Sequence, residues 1–121
     1  MPYEKFKAWN VAHQLALEVY KVSEHWPSSE RYQLTAQIRR AALSAATNIA
    51  EGAAKRGTRE FRRYLDISLG SLSELSYLLR FTKDRGIIDN NTFRALDELR
   101  NQAGTLTWRL YACMTRKRHP L

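Results

Sequence analysis

Residues 34–52 read LTAQIRRAALSAATNIAEG. Leu34, Ile38, Ala41, Ala42, Ala45 and Ile49 fall at the spacing that lines up side chains on one face of an α-helix. That face is built largely of alanine, and small side chains let a neighbouring helix approach closely.

The rhythm continues on both sides. Upstream it runs through Ala8, Ala12, Leu15, Val19, Val22 and Trp26. Downstream it runs through Phe61, Leu65, Ser68, Leu72, Leu75 and Leu79, and again through Leu96, Leu99, Ala103, Leu106, Leu110 and Cys113. Alternating steps of four and three give each segment one apolar stripe. Pro27, Gly57 and Gly86 separate the four segments. Ser28 or Ser29, with Thr35, offers caps for the second helix, Thr58 for the third and Asp89 for the fourth. Gly86 before Ile87 reads as a left-handed helix stop. The expectation is all-α: an up-down-up-down antiparallel four-helix bundle, one domain over residues 1–121 with a basic tail at about 115–121.

Composition agrees. The 121 residues have 44% hydrophobic content, enough for one core, and few glycines or prolines for the turns of an all-β domain. A lone cysteine, Cys113, excludes an internal disulfide framework and a multi-cysteine zinc site, and fits a reducing cytoplasm. The opening MPYEKFKAWN lacks the apolar run of a signal peptide. The longest uncharged stretch, 41–50, is far short of the about 20 apolar residues of a membrane span. A cytoplasmic protein with no membrane association is expected.

The first helix has more apolar surface than one bundle needs. Between Ala8 and Val22 only Asn10, His13, Gln14, Glu18 and Lys21 are polar, while Trp9, Val11, Ala16, Leu17 and Tyr20 widen the stripe. A helix apolar around most of its circumference is buried on more than one side, so a homo-oligomer is expected; a covering loop or tail is the alternative. Gly70 and Gly104 lie mid-helix, where close helix approach within or between subunits would compensate their low helix propensity.

No chemistry is legible. His13, His25 and His119 lack the helical spacing of metal ligands, and no phosphate-cradling glycine loop or nucleophile elbow occurs. Some four-helix ribonucleases pair an arginine with a histidine four to six residues later; Arg116 and Arg118 precede His119 at the wrong spacing. Cys113 reads as an inert seam thiol. The expectation is a non-enzyme with no catalytic residue, metal, cofactor or small-molecule substrate.

Charge says more. Lys and Arg number 20 against 12 Asp and Glu, a net +8. In the expected topology both termini and the second connection share one end. That end would gather Lys5, Lys7, Lys55, Arg56, Arg59, Arg62, Arg63, Arg116, Lys117 and Arg118 against Glu4, Glu51 and Glu60, while the opposite end mixes signs. A one-sided field attracts polyanions and releases their counterions on binding. Lys55, Arg56, Arg59, Arg62, Arg63, Arg116, Lys117 and Arg118 are therefore the candidate contacts for RNA or DNA. Tyr64 could stack on an unpaired base, though packing at the core edge is the better reading. Arg39 and Arg40, beside the alanine face, are expected in structural ion pairs with Glu51, Glu74 or another subunit.

The opening stretch also carries a resemblance. Leu34, Thr35, Gln37, Arg39, Arg40, Ala41 and Ser44, followed by Asn48-Ile49-Ala50-Glu51-Gly52, closely resemble the signature of the bacterial four-helix-bundle family named for 23S ribosomal RNA intervening-sequence proteins. Trp9, Tyr20, Pro27, Glu60-Phe61 and Gly70-Ser71-Leu72 extend it over roughly residues 6–110. The resemblance implies a bundle that assembles into a ring, often a pentamer, in the bacterial cytoplasm. It also implies a biochemical role that is poorly defined, with nucleic-acid binding proposed for a similar fold that serves a reverse transcriptase. Asn48 and Glu51 are expected to hydrogen-bond neighbouring helices, and Gly52 to permit close packing. The functional expectation is a non-enzymatic ring that binds nucleic-acid backbone through its basic end; the alternative is a protein-interaction scaffold or accessory subunit.

Overall fold

A computed structural model describes residues 1–117. Among the described residues four α-helices make up the fold: α1 (Lys7–Ser23), α2 (Ala36–Ala53), α3 (Thr58–Asp84) and α4 (Asn90–Lys117). A 3-10 turn, Pro2–Lys5, precedes α1, and a 3-10 turn followed by a π-helical turn, Arg31–Thr35, leads into α2. α1 packs on α2, α2 on α3, α3 on α4, and α4 closes back on α1. With short connections this is the antiparallel up-down-up-down bundle that the four apolar stripes predict.

The centre of the core is Leu15, Val19, Ile38, Ile49, Leu65, Leu75 and Leu79, all fully buried. The alanine face of α2 acts as anticipated. Ala41, Ala42, Ala45 and Ala46 are buried, and α3 comes close enough for the Ser68 hydroxyl to donate to the Ala45 carbonyl at 2.8 Å. One step outward, the Ser44 and Ser71 hydroxyls meet at 2.7 Å. Toward the end of α2, a β-carbon on Gly52 would lie 2.8 Å from the Tyr64 Cβ and the Phe61 Cδ1. These three contacts run down one antiparallel seam, so small residues set the α2–α3 distance along its length. Gly70 and Gly104 have no such role among the described residues: a β-carbon at either meets nothing within 4 Å.

The helix ends differ from the sequence reading in instructive ways. Asp89 does cap α4, its Oδ1 accepting the Thr92 N–H at 2.7 Å. Gly86, at φ +76°, ends α3 in a Schellman turn, with Gly86 N–H donating to the Lys83 carbonyl and Ile87 N–H to the Thr82 carbonyl. Thr58, however, is already helical, and the residue before it is Gly57 at φ +85°. Ser28, Ser29 and Thr35 make no side-chain cap, because the chain enters α2 through continuous helical turns whose extended cap residue is Pro27, which has no side-chain acceptor. Trp26 lies beyond the end of α1, and Ser23 takes the last buried position of that helix. On α4 the buried face shifts by one residue after Ala103, to Thr107 and Met114 in place of Leu106 and Cys113, which are half-buried. A straight helix drifts ~20° per heptad against a strict 3.5 repeat, and over 28 residues that drift moves the seam.

The Thr92 backbone N–H, then its hydroxyl, hold the Asp89 carboxyl below its ordinary value. A group depressed on folding adds stability that is present above its unfolded pKa and is lost as pH falls through the folded one. Asp89→Ala should therefore melt below the parent at neutral pH, and the gap should close as pH drops below about 4. Thermal melts followed by circular dichroism across that range check it.

Thr107 is fully buried, and its hydroxyl makes no hydrogen bond among the described residues, whereas Thr82 donates to the Leu78 carbonyl one turn back at 2.6 Å. An orphaned buried hydroxyl costs desolvation with no return, so Thr107→Val, of nearly the same shape, should stabilise the bundle by about 1 kcal/mol. Urea titration measures it.

Candidate nucleic-acid interface

The end of the bundle that holds the Ala54–Gly57 connection also holds the N-terminal turn and the last turns of α4. Phe6 packs edge-on against Phe61 at 5.4 Å, and the Arg62 guanidinium lies 6.0 Å from the Tyr111 ring centre. On this end Arg59, Arg62 and Arg63, three of the expected contacts, line one groove of about 450 Å³ between α3 and α4. Glu60, Asp66 and Tyr111 complete it. Lys55 stands outside this groove and meets Arg63 across Tyr64: its ammonium lies 5.5 Å, and the Arg63 guanidinium 5.7 Å, from the centre of the Tyr64 ring. Arg56 is exposed in the connection, and Arg116 is exposed on the last turn of α4. Lys117 closes α4, while Arg118, His119 and most of the expected basic tail lie outside the described residues.

The groove sets three arginines against two carboxylates, Glu60 and Asp66, a net charge of +1. Arg63 approaches Glu60 at 3.9 Å, an exposed pair of the kind worth little. Among the described residues no carboxylate lies within 4 Å of Lys55, Arg56, Arg59 or Arg62. Asp66, absent from the sequence count of opposing acids, belongs to the groove and reduces its excess. Tyr64 packs at the edge of the core against Gly52 and carries two cations on its ring.

Sequence reasoning missed the neighbouring aromatic pair. Trp108 stacks on Tyr111 with ring centres 5.5 Å apart and 17° between the planes, and 57% of Trp108 remains exposed. The two lie three residues apart on α4, and one turn of spacing between aromatics beside the seam is the signal that could have found them.

Within one chain, the motif residues of α2 depart from two further expectations. Among the described residues Arg39 forms no ion pair. Its Nε donates to the Ser23 Oγ at 2.8 Å, its Nη2 to the Tyr20 carbonyl at 3.2 Å, and its guanidinium lies 4.4 Å over the Tyr20 ring. The end of α1 offers orphan carbonyls, and a guanidinium satisfies them as well as it would a carboxylate. Arg40 is exposed with no carboxylate within 4 Å among the described residues. Asn48 bonds within its own helix, donating to the Ser44 carbonyl and hydroxyl, so its link to α3 runs through the Ser44–Ser71 contact. Glu51 is exposed and pairs with no cation among the described residues.

The broad apolar face of α1 is covered in part. Tyr3 of the N-terminal turn packs on Trp9 with ring centres 4.6 Å apart, and Ala16 is buried. Leu17 stays 51% exposed, and Tyr20 and Leu43 line a shallow groove on the α1–α2 face. Among the described residues no group of three or more His, Cys, Asp or Glu could hold a metal ion, and no helix is long and apolar enough to cross a membrane.

The protein is thus an all-α bundle with a cationic groove at one end. A model of the 23S rRNA-intervening sequence protein family matches residues 4–108, and the chain belongs to that family. Its fold is similar to the crystal structure of a protein of unknown function from the S23 ribosomal protein family of Bacteroides thetaiotaomicron, with a TM-score of 0.82 and 16% identity over 93% of this chain and 99% of that one. No curated protein matches it.

Proposed function

We propose that this protein is a non-enzymatic, ring-forming cytoplasmic bundle that binds the backbone of RNA or DNA through its basic end. The observation that carries the proposal is the groove where Arg59, Arg62 and Arg63 converge from successive turns of α3 beside Tyr111, with Lys55 sharing the Tyr64 ring with Arg63. Guanidinium groups give phosphate oxygens planar, bidentate partners, and neutralising phosphates releases their counterions. Contacts of this type position a nucleic acid without reading its sequence.

Self-association fits the opposite side of the molecule. Leu17 and Tyr20 of α1 and Leu43 of α2 leave apolar surface open on the α1–α2 face, while the groove belongs to α3 and α4. Subunits joined through α1 and α2 would keep their basic grooves free, and a ring, five-membered as the family resemblance implies, would align them into one cationic rim.

Electrophoretic retention at low salt, with a monodisperse sample sized by light scattering, tests both parts. Structured RNA and duplex DNA should be retarded by an assembly larger than one chain, with steep loss on adding salt. A sample that retards neither would end the nucleic-acid reading.

A further inference from the structure

Beside the arginines, the Trp108–Tyr111 pair adds something that backbone binding does not require. We propose that Trp108 is a stacking platform for an unpaired base, so that the groove takes single-stranded nucleic acid in preference to duplex. The inference rests on the basic-end reading and assigns that site its substrate class.

The geometry is continuous. Arg62 sits over Tyr111, Tyr111 lines the arginine groove, and Trp108 stacks on Tyr111 while keeping 57% of its surface in solvent. Tyr111 supports the indole from one side and holds it nearly parallel to its own ring. A strand whose phosphates run along Arg59, Arg62 and Arg63 thus passes an open, preoriented aromatic surface within one helical turn. Every base has a π-face, so stacking of this kind tolerates sequence, and it is open only to bases outside a duplex. Tyr64 cannot serve in the same way, since it packs against Gly52 and carries Lys55 and Arg63 on its ring.

Trp9 and Trp26 are half-buried against the core, so fluorescence quenching by a bound base should report Trp108. The experiment measures binding of an oligo-dT or oligo-U strand and of a blunt DNA duplex at one salt concentration, by anisotropy and by tryptophan quenching. The parent should prefer the single strand and be quenched by it. Trp108→Ala should bind the single strand roughly tenfold more weakly, lose the quenching and keep its duplex affinity. Trp108→Phe should recover most of the loss, and it separates stacking from any effect of alanine on the fold. Equal binding of both nucleic acids, or a Trp108→Ala variant with an undiminished single-strand preference, overturns the platform and leaves the basic end in place. A variant that changes only its oligomeric size assigns Trp108 to a subunit contact and also overturns it. Absence of binding to both probes removes the basic-end reading itself, and the platform with it.

Discussion

Gly52→Val should lower the melting temperature of the bundle by ~10 °C or more, a loss of about 3 kcal/mol. The added atoms have no room. Even the first of them, a β-carbon, would stand 2.8 Å from the Tyr64 Cβ and 3.3 Å from the Phe61 carbonyl oxygen. Neither atom can swing aside, because a Cβ and a carbonyl move only with their backbone. Relief therefore requires α2 and α3 to separate at this end, which would also strain the Ser68–Ala45 and Ser44–Ser71 contacts along the same seam. Alanine substitution elsewhere gives the opposite sign. Gly70→Ala and Gly104→Ala meet no atom within 4 Å, and each should stabilise its helix by roughly 0.5–1 kcal/mol. Thermal melts of the three variants decide the matter; a Gly52→Val protein that melts with the parent would mean that α2 and α3 do not pack this closely.

The contrast among these glycines also separates what the residue pattern encodes from what it does not. A period of three and four specifies which face turns inward, so Ala12, Leu15 and Val19, Ile38, Ala45 and Ile49, and Leu65, Leu72, Leu75 and Leu79 could be placed in the core before any coordinates. The period carries no information on partners. Gly52, Gly70 and Gly104 are alike in sequence, and only the approach of α3 distinguishes the first. Arg39 is a cation near expected acids, yet its partners are a hydroxyl and a backbone carbonyl of α1, groups that every chain carries and that no spacing singles out. On α4 hydrophobicity favoured Leu106 over Thr107, although helical drift turns the threonine inward. The candidate site divides in the same way. Arg59, Arg62 and Arg63 share one helix face by spacing alone, whereas Asp66 and Tyr111 enter the groove through the packing of α3 on α4. Trp108 lies off the apolar stripe of α4, where the period of three and four assigns an aromatic no place.

Replacing Arg59, Arg62 and Arg63 together by alanine should flatten the salt dependence of nucleic-acid binding and weaken it about 100-fold or more at 0.1 M salt. Each phosphate contact on duplex DNA contributes ~0.9 to the slope of log K against log salt, so three lost contacts remove nearly 3 from it, and at 0.1 M the same counterions account for more than two decades of affinity. The comparison that gives the result meaning is a second triple variant, with alanine at Arg80, Lys83 and Arg85. It removes the same three charges from the total of +8, but from the other end of α3 and the turn that follows it. Among the described residues it breaks one ion pair, Arg80 with Asp84 at 3.0 Å, which is exposed and worth little to the fold. A protein that attracts polyanions by net charge alone would respond equally to both variants. A protein that grips phosphates in the α3–α4 groove would lose slope and affinity in the first variant and keep nearly all of both in the second. Equal slopes in the two variants would detach binding from the groove, and with it the role assigned to Arg59, Arg62 and Arg63.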